Sequence, residues 1–504
     1  MTLAQTHGVV IQGVDGLLVT VEAYLSQGLP GMNIVGLPDT AVAEARDRVR
    51  AAVFNSDCRW PSERRITIGL SPASIHKRGA SLDLSMALAI LTAHGDLPLV
   101  GPYVAIGELA LDGTVRAVRG VLVAAICAIR QGIHTLVVPH TQVAEARLVD
   151  GLTVIGVSSL KDAVAWAKGE DYECDIPLGK GLEAPVIPDL SDVRGQVLAR
   201  QALEIAAAGG HHVGFLGSPG VGKTMLAERL PGLLPQLSDE RALEVTGIHS
   251  VAGLLQEGQG LVRIPPFQAP HHSVTMAALV GGGSHSARVG LITLAHGGVL
   301  CLDEAAEFDR NVLDALRQPL ESGTITVSRA GFHTVLPAQF QLVLSSNPCP
   351  CGKFIGTGID CTCSTTVRRR YFSRLSGPFL DRIDLRVTLE KPTLVELSNS
   401  DSENSESVAA RVQQARERAR VRLNSYPWKL NGQVPGPVMR KQFPLTPQAR
   451  ELLNRDSVGL SVRGMDRVVR VAWTIADLRG HDRPEVSDLA TALMFRDGNG
   501  AWRV

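Results

Sequence analysis

Apolar positions in the first third of the chain alternate between two periods. Val9-Val10-Ile11 and Leu17-Leu18-Val19-Thr20-Val21-Glu22 read as strands. So does Asn33-Ile34-Val35, which leads into a turn, and Arg65-Ile66-Thr67-Ile68-Gly69-Leu70 alternates in and out. Between them, residues 41–54 place Val42, Ala45, Val49 and Val53 on one helical stripe. Residues 82–92 and Val121–Arg130 read as apolar helices, and Thr135–Pro139 as a late strand. Strands and helices interleave throughout, so residues 1–165 are expected to form an α/β or α+β domain.

The pattern then breaks. Residues 166–189 carry Gly169-Glu170-Asp171 and Pro177, Pro185 and Pro188, which predicts a linker. Periodicity resumes in a helix over 195–208 with Val197, Leu198, Ala202, Ile205 and Ala206, and then in a buried strand, Val213-Gly214-Phe215-Leu216. This second unit runs over 190–390. A polar, acidic stretch centred on Asp401-Ser402-Glu403-Asn404 predicts a mobile loop over 391–407. Residues 408–504 have helical spacing, with an arginine-dense segment at 408–424 and amphipathic helices at 460–478 and 487–495, and read as a small helical lid. The fold class expected for the whole chain is α/β.

Chemistry enters directly after the buried strand. Gly217-Ser218-Pro219-Gly220-Val221-Gly222-Lys223-Thr224 has the spacing G-x-x-x-x-G-K-T. Glycines let backbone N–H groups turn inward around a phosphate, and the helix that follows adds its positive end. Lys223 is placed to reach the β and γ phosphates of ATP, and Thr224 to put its hydroxyl on Mg²⁺. A second apolar run, Gly298-Val299-Leu300-Cys301-Leu302, ends in Asp303-Glu304. Asp303 would serve the Mg²⁺, and Glu304 would orient and polarise an attacking water. An ordinary glycine turn and two solvated acids would explain either motif alone, but not the pair.

Composition narrows the class. The chain has 504 residues, enough for two or three domains, and its formal net charge is zero. Global charge therefore announces neither nucleic acid nor membrane. The N-terminal residues lack a basic-then-apolar signal pattern, and no apolar run approaches the length of a membrane span, so a cytoplasmic protein is expected. Four of the eight cysteines, Cys349, Cys351, Cys361 and Cys363, form two C-x-C pairs in one short loop. Four thiolates at that spacing can close a tetrahedron around a structural Zn²⁺; the alternative is four free or oxidised thiols.

Two resemblances add to this. Gly107-Glu108-Leu109-Ala110-Leu111-Asp112-Gly113 and Gly132-Ile133-His134-Thr135-Leu136-Val137-Val138-Pro139 resemble the Lon-type proteolytic domain. Ser81 falls where that family's nucleophile stands, but the lysine's place is Ala124, and no lysine lies in Val121–Arg130. A serine without its base is not activated, so a scaffold rather than a peptidase is expected. Nearly the whole chain, all but the acidic loop near 400 and the C-terminal tail, resembles magnesium-chelatase-like AAA+ ATPases of the YifB/ComM type. The residues that carry this include Asp192-Val193-Arg194-Gly195-Gln196, Ala269-Pro270-His271-His272-Ser273, Gly281-Gly282-Gly283 and Ser346-Asn347-Pro348-Cys349-Pro350-Cys351-Gly352.

That resemblance implies a hexameric ring that acts on branched or single-stranded DNA, with branch-migration helicases among its members. A chelatase-type motor driving metal insertion by a partner is one alternative, and an ATP-switched scaffold another. The partner of the first domain is not specified. The resemblance implies sensor 1 at Asn347 and an arginine finger at Arg382, with Arg374 as runner-up. It implies sensor 2 at Arg463, with Arg467 as the alternative. It also places two insertions near the ring pore, one over about residues 250–288 and one a hairpin around Arg329-Ala330-Gly331. In the hairpin Arg329 would meet phosphate and Phe332 or His333 would stack on bases, unless it simply packs on the core. His271 and His272 read as pore residues or as a structural pair, and Arg368-Arg369-Arg370 as a phosphate site or a solvated face.

Overall fold

The computed structural model describes residues 3–173, 186–282, 289–329, 332–354, 360–393, 395–396, 402–457, 459–498 and 502. They form a mixed α/β protein of two compact units. The first unit comprises residues up to 184 together with 239–262 and 282–289; the second comprises the remainder.

The first unit is built on a seven-stranded mixed sheet. Its strands are β1 (Leu3–Gln12), β2 (Asp15–Ser26), β3 (Gly31–Val35), β4 (Arg65–Ser71), β5 (Val104–Ala105), and, after a small hairpin of β6 (Glu108–Leu109) and β7 (Val115–Arg116), β8 (Thr135–Pro139) and β9 (Thr153–Val157). The sheet order is β3-β4-β2-β1-β5-β8-β9. β1, β2 and β4 pair antiparallel, and the other neighbours pair parallel. The helix Thr40–Asn55 buries Val42, Ala45, Val49 and Val53, the stripe read from the sequence. Asp39 caps it by accepting from the Val42 N–H at 2.8 Å, an arrangement that contributes about 1 kcal/mol. The helix Asp83–His94 is buried along nearly its whole length, so its apolar run has no polar face. Asp83 within it is fully buried and receives the Arg48 guanidinium through two hydrogen bonds, at 2.7 and 3.1 Å.

The stretch 239–262 falls within the span 190–390 expected for the second unit but clusters with the first unit. Its helix Asp239–Ala252 packs on Val121–Arg130. Glu145 ties the two together, accepting from the Ser250 hydroxyl and from the Leu122 N–H. No local signal marks this. It depends on a carboxylate about a hundred residues earlier in the chain.

The second unit holds a five-stranded, all-parallel sheet of β10 (Val213–Gly217), β11 (Phe267–Gln268), β12 (Val299–Leu302), β15 (Gln341–Ser346) and β16 (Leu385–Leu389). The order β11-β12-β15-β10-β16 puts β10 between the last two strands in sequence. β13 (Thr324–Arg329) and β14 (Phe332–Pro337) form a separate antiparallel hairpin. The C-terminal helices share one hydrophobic core with this sheet, through residues such as Val412, Trp473 and Phe495. The expected loop over 391–407 ends earlier than its composition suggested. Asn404 caps a helix, Ser405–Arg422, and the Ser405 hydroxyl accepts from the Leu190 N–H at 2.7 Å. Tertiary hydrogen bonds thus order the end of a polar segment.

Candidate nucleotide site and thiolate cluster

A parallel sheet gathers chemistry at the carboxyl ends of its strands, where the strand order reverses. Here β10, β12 and β15 lie side by side and end together. β10 is buried at every position. The chain then turns through Gly220 and Gly222, both left-handed at φ 78° and 96°, and the helix Lys223–Leu233 begins. Side chains with a Cβ rarely adopt that conformation. Lys223 Nζ donates to the carbonyl oxygens of Gly217 (2.8 Å) and Ser218 (2.9 Å) and to Asn347 Oδ1 (3.0 Å). Burial holds this ammonium below the usual lysine range, against the opposing pull of Asp303 and Glu304.

Asp303 is fixed from three directions. Thr224 Oγ1 donates to Oδ2 at 2.7 Å, while Oδ1 accepts from the Glu304 N–H at 2.9 Å and from the Ser345 hydroxyl. Glu304 is a non-glycine residue at φ 52°, a conformation costing about 1–2 kcal/mol. Its side chain is half exposed, and His272 Nδ1 stands 3.7 Å from one carboxylate oxygen. The rings of His271 and His272 lie against each other, tilted by 35°, with centroids 4.0 Å apart. The hydroxyl of Thr224 beside the Asp303 carboxylate is an all-oxygen donor set, which suits a hard cation such as Mg²⁺.

The arginines sort by environment. Arg382, the arginine finger that the resemblance implies, has partners within its own chain. It is buried and donates to Glu321 Oε1 at 2.6 Å, to the Arg317 carbonyl at 3.1 Å and to the Pro378 carbonyl. Glu321 also lies 3.3 Å from Arg463, whose side chain is 68% exposed, so one carboxylate faces both arginines. No sequence pattern pointed to Glu321. Arg374 is bonded to the Ala306 carbonyl and to Glu307. Arg467 is absorbed into a buried pair with Asp384 at 2.6 Å.

The hairpin β13–β14 pairs Arg329 with Phe332 at its tip. Ile325, Val327 and Leu336 are buried, so its base packs on the core. The side chains of Arg329, Phe332 and His333 lie outside the described residues, as do residues 330–331 and Gly283. Arg368 lies over the Phe354 ring, 3.7 Å from its centroid. In the first unit Ala124 is buried, and the Ser81 hydroxyl donates to the Val9 carbonyl at 3.2 Å.

Cys349, Cys351, Cys361 and Cys363 converge, with all four Sγ atoms within 4.8 Å of one another. None of them is in a disulfide. The set can hold a metal ion.

Among the described residues no helix is long and apolar enough to cross a membrane. Three family models match the chain. "Magnesium chelatase, subunit ChlI" covers residues 189–397, "Subunit ChlI of Mg-chelatase" covers 21–142, and "Magnesium chelatase, subunit ChlI C-terminal" covers 402–496. An uncharacterized protein of Mycobacterium tuberculosis is 47% identical over 506 residues, which is 98% of this chain and 99% of the relative. YifB of Escherichia coli is 41% identical over 503 residues, covering 98% and 97%. Competence protein ComM of Haemophilus influenzae is 40% identical over 510 residues, covering 98% of each. Matched from end to end in this way, the chain belongs to the magnesium-chelatase ChlI-like family, as a member of the YifB/ComM type.

Proposed function

We propose that the chain is a Mg²⁺-dependent AAA+ ATPase, and not a peptidase, that works as a ring of identical subunits and moves or remodels DNA. The observation that carries the ATPase reading is the convergence of Lys223, Thr224, Asp303, Glu304 and Asn347 at the ends of three adjacent parallel strands. In this reading Gly217, Ser218, Pro219, Gly220, Val221 and Gly222 wrap the phosphates with backbone N–H groups, and Lys223 exchanges its carbonyl partners for phosphate oxygens. Thr224 and Asp303 hold Mg²⁺, which neutralises phosphate charge when bound. Glu304, with its half-exposed side chain, polarises the attacking water, and Asn347 orients it.

Arg382, buried, and Arg463, exposed, both face Glu321 and so place two cations around one carboxylate. In the ring they exchange that carboxylate for the neighbour's phosphate, which makes hydrolysis depend on assembly. The C-terminal helices act as the lid, and the hairpin β13–β14 meets DNA. The first unit is a Lon-like scaffold in which Ala124 stands in the place of the lysine that would activate Ser81.

The DNA part of the reading is supported by the full-length likeness to a protein named for competence. An ATPase assay with and without forked or four-way DNA tests it. Turnover should rise with DNA, and the stimulation should fall as salt rises, since phosphate contacts release counterions. Ser81→Ala should leave both unchanged. Turnover indifferent to every DNA tried would sink the DNA reading and favour a chelatase-type motor or a switched scaffold.

A further inference from the structure

We propose that Cys349, Cys351, Cys361 and Cys363 bind one Zn²⁺, and that the metal-clasped turn braces the P-loop, so that nucleotide affinity depends on the metal. The second half rests on the nucleotide-site reading above; the first does not.

The sulfur geometry argues for a single ion. Zn–S bonds of about 2.3 Å place the corners of a tetrahedron about 3.8 Å apart. Cys361 Sγ lies 3.7 Å from both Cys349 Sγ and Cys351 Sγ, and the last two are 3.3 Å apart. Cys363 completes the set within 4.8 Å. These separations are far beyond the ~2.05 Å of a disulfide. Four thiolates with no open position select a soft or borderline ion in a closed, structural site. The first pair is preformed by a tight turn, in which the Gly352 N–H donates to the Cys349 carbonyl at 2.9 Å and Gly352 is left-handed at φ 74°.

That turn is attached to the nucleotide site on two sides. Along the chain, Cys349 follows Asn347 by two residues, and Asn347 Oδ1 holds Lys223 Nζ at 3.0 Å. Across space, Gly352 lies against the P-loop itself: a Cβ there would stand 2.4 Å from Pro219 Cδ and 2.8 Å from Cγ. The turn therefore backs Pro219 at van der Waals contact, and only a residue without a side chain fits. A metal that fixes the four sulfurs fixes the position of Gly352, and through it the P-loop wall.

The test uses the full chain purified anaerobically. Elemental analysis should find about one zinc per chain, lost in the double variant Cys361→Ser, Cys363→Ser. Titration with a fluorescent ATP analogue should show affinity falling about tenfold after chelation and returning when zinc is restored. Gly352→Ala should keep its zinc yet bind the analogue about tenfold more weakly, which separates bracing from general unfolding. Protein free of bound metal overturns the site. Zinc present, with affinity unchanged both after stripping and in Gly352→Ala, overturns the bracing. Wild-type protein that holds zinc but binds no nucleotide overturns the ATPase reading and the bracing while leaving the metal site standing.

Discussion

Lys223 and Glu304 sit in the same pocket but are held differently. Lys223 is buried and makes three hydrogen bonds, whereas the Glu304 side chain is half exposed and its backbone is left-handed. The first arrangement suits binding and the second suits chemistry on a mobile water. Lys223→Ala should weaken ATP binding by at least about tenfold, because a charge-assisted contact to phosphate is lost. Glu304→Gln should leave the nucleotide Kd nearly unchanged and lower turnover by about a hundredfold or more, since shape is kept and the water-polarising charge is removed. Equilibrium binding and steady-state turnover measured on the same preparations check both. Unchanged turnover in Glu304→Gln would remove it from the mechanism. Both residues were legible because their motifs are contiguous. Glu321 and Ser345 were not, since each matters only through a partner 42 or more positions away.

The strands that carry the site are locked at their other ends by a buried polar network. His211, fully buried, lies beside Asp384, and its Nε2 pairs with Thr474 Oγ1 at 2.7 Å. The Thr474 hydroxyl donates to the Arg470 carbonyl, so the imidazole Nε2 donates to Thr474. Desolvation lowers the His211 pKa to about 4, against the opposing pull of Asp384. The sign follows. Below the ordinary histidine value the unfolded chain binds a proton that the folded chain refuses, so stability falls as pH drops from about 6.5 to about 4. The loss from His211 is of order 3 kcal/mol by pH 4. Urea unfolding of wild type and His211→Gln across this range checks it: the wild-type curve should slope and the variant's should be flatter. Equal slopes would discount the histidine. The sequence offered the strand Val213-Gly214-Phe215-Leu216 but not this network, because a histidine just before an apolar run carries no periodic signature.

The molecule as a whole is a site whose arginines and P-loop belong to one unit while a segment from its middle folds with the other. If the arginines serve a neighbouring subunit, the defects of Lys223→Ala and Arg382→Ala fall on opposite sides of a shared site. Each variant alone should be inactive, and a mixture should regain part of the wild-type turnover, with turnover per subunit rising with protein concentration. Because Arg382 is also buried against Glu321, thermal melting of the variant must accompany the assay. A folded Arg382→Ala chain that is never rescued by mixing, with turnover independent of concentration, would place the arginine's role within its own subunit.

What the sequence by itself determined is whatever is local or periodic. The phosphate loop needs glycines at set spacing next to a lysine, and the apolar runs that become β10, β12 and β15 reveal themselves by burial on both faces. The two C-x-C pairs, likewise, sit close enough in sequence to suggest one metal. Tertiary structure alone decided which groups meet across long separations: Asn347 on Lys223, Ser345 on Asp303, Glu321 between two arginines, Gly352 against Pro219, and residues 239–262 with the first unit. The physical reason is that each such contact is selected by packing of the finished sheet and helices. Neither partner's neighbours in the chain carry information about the other.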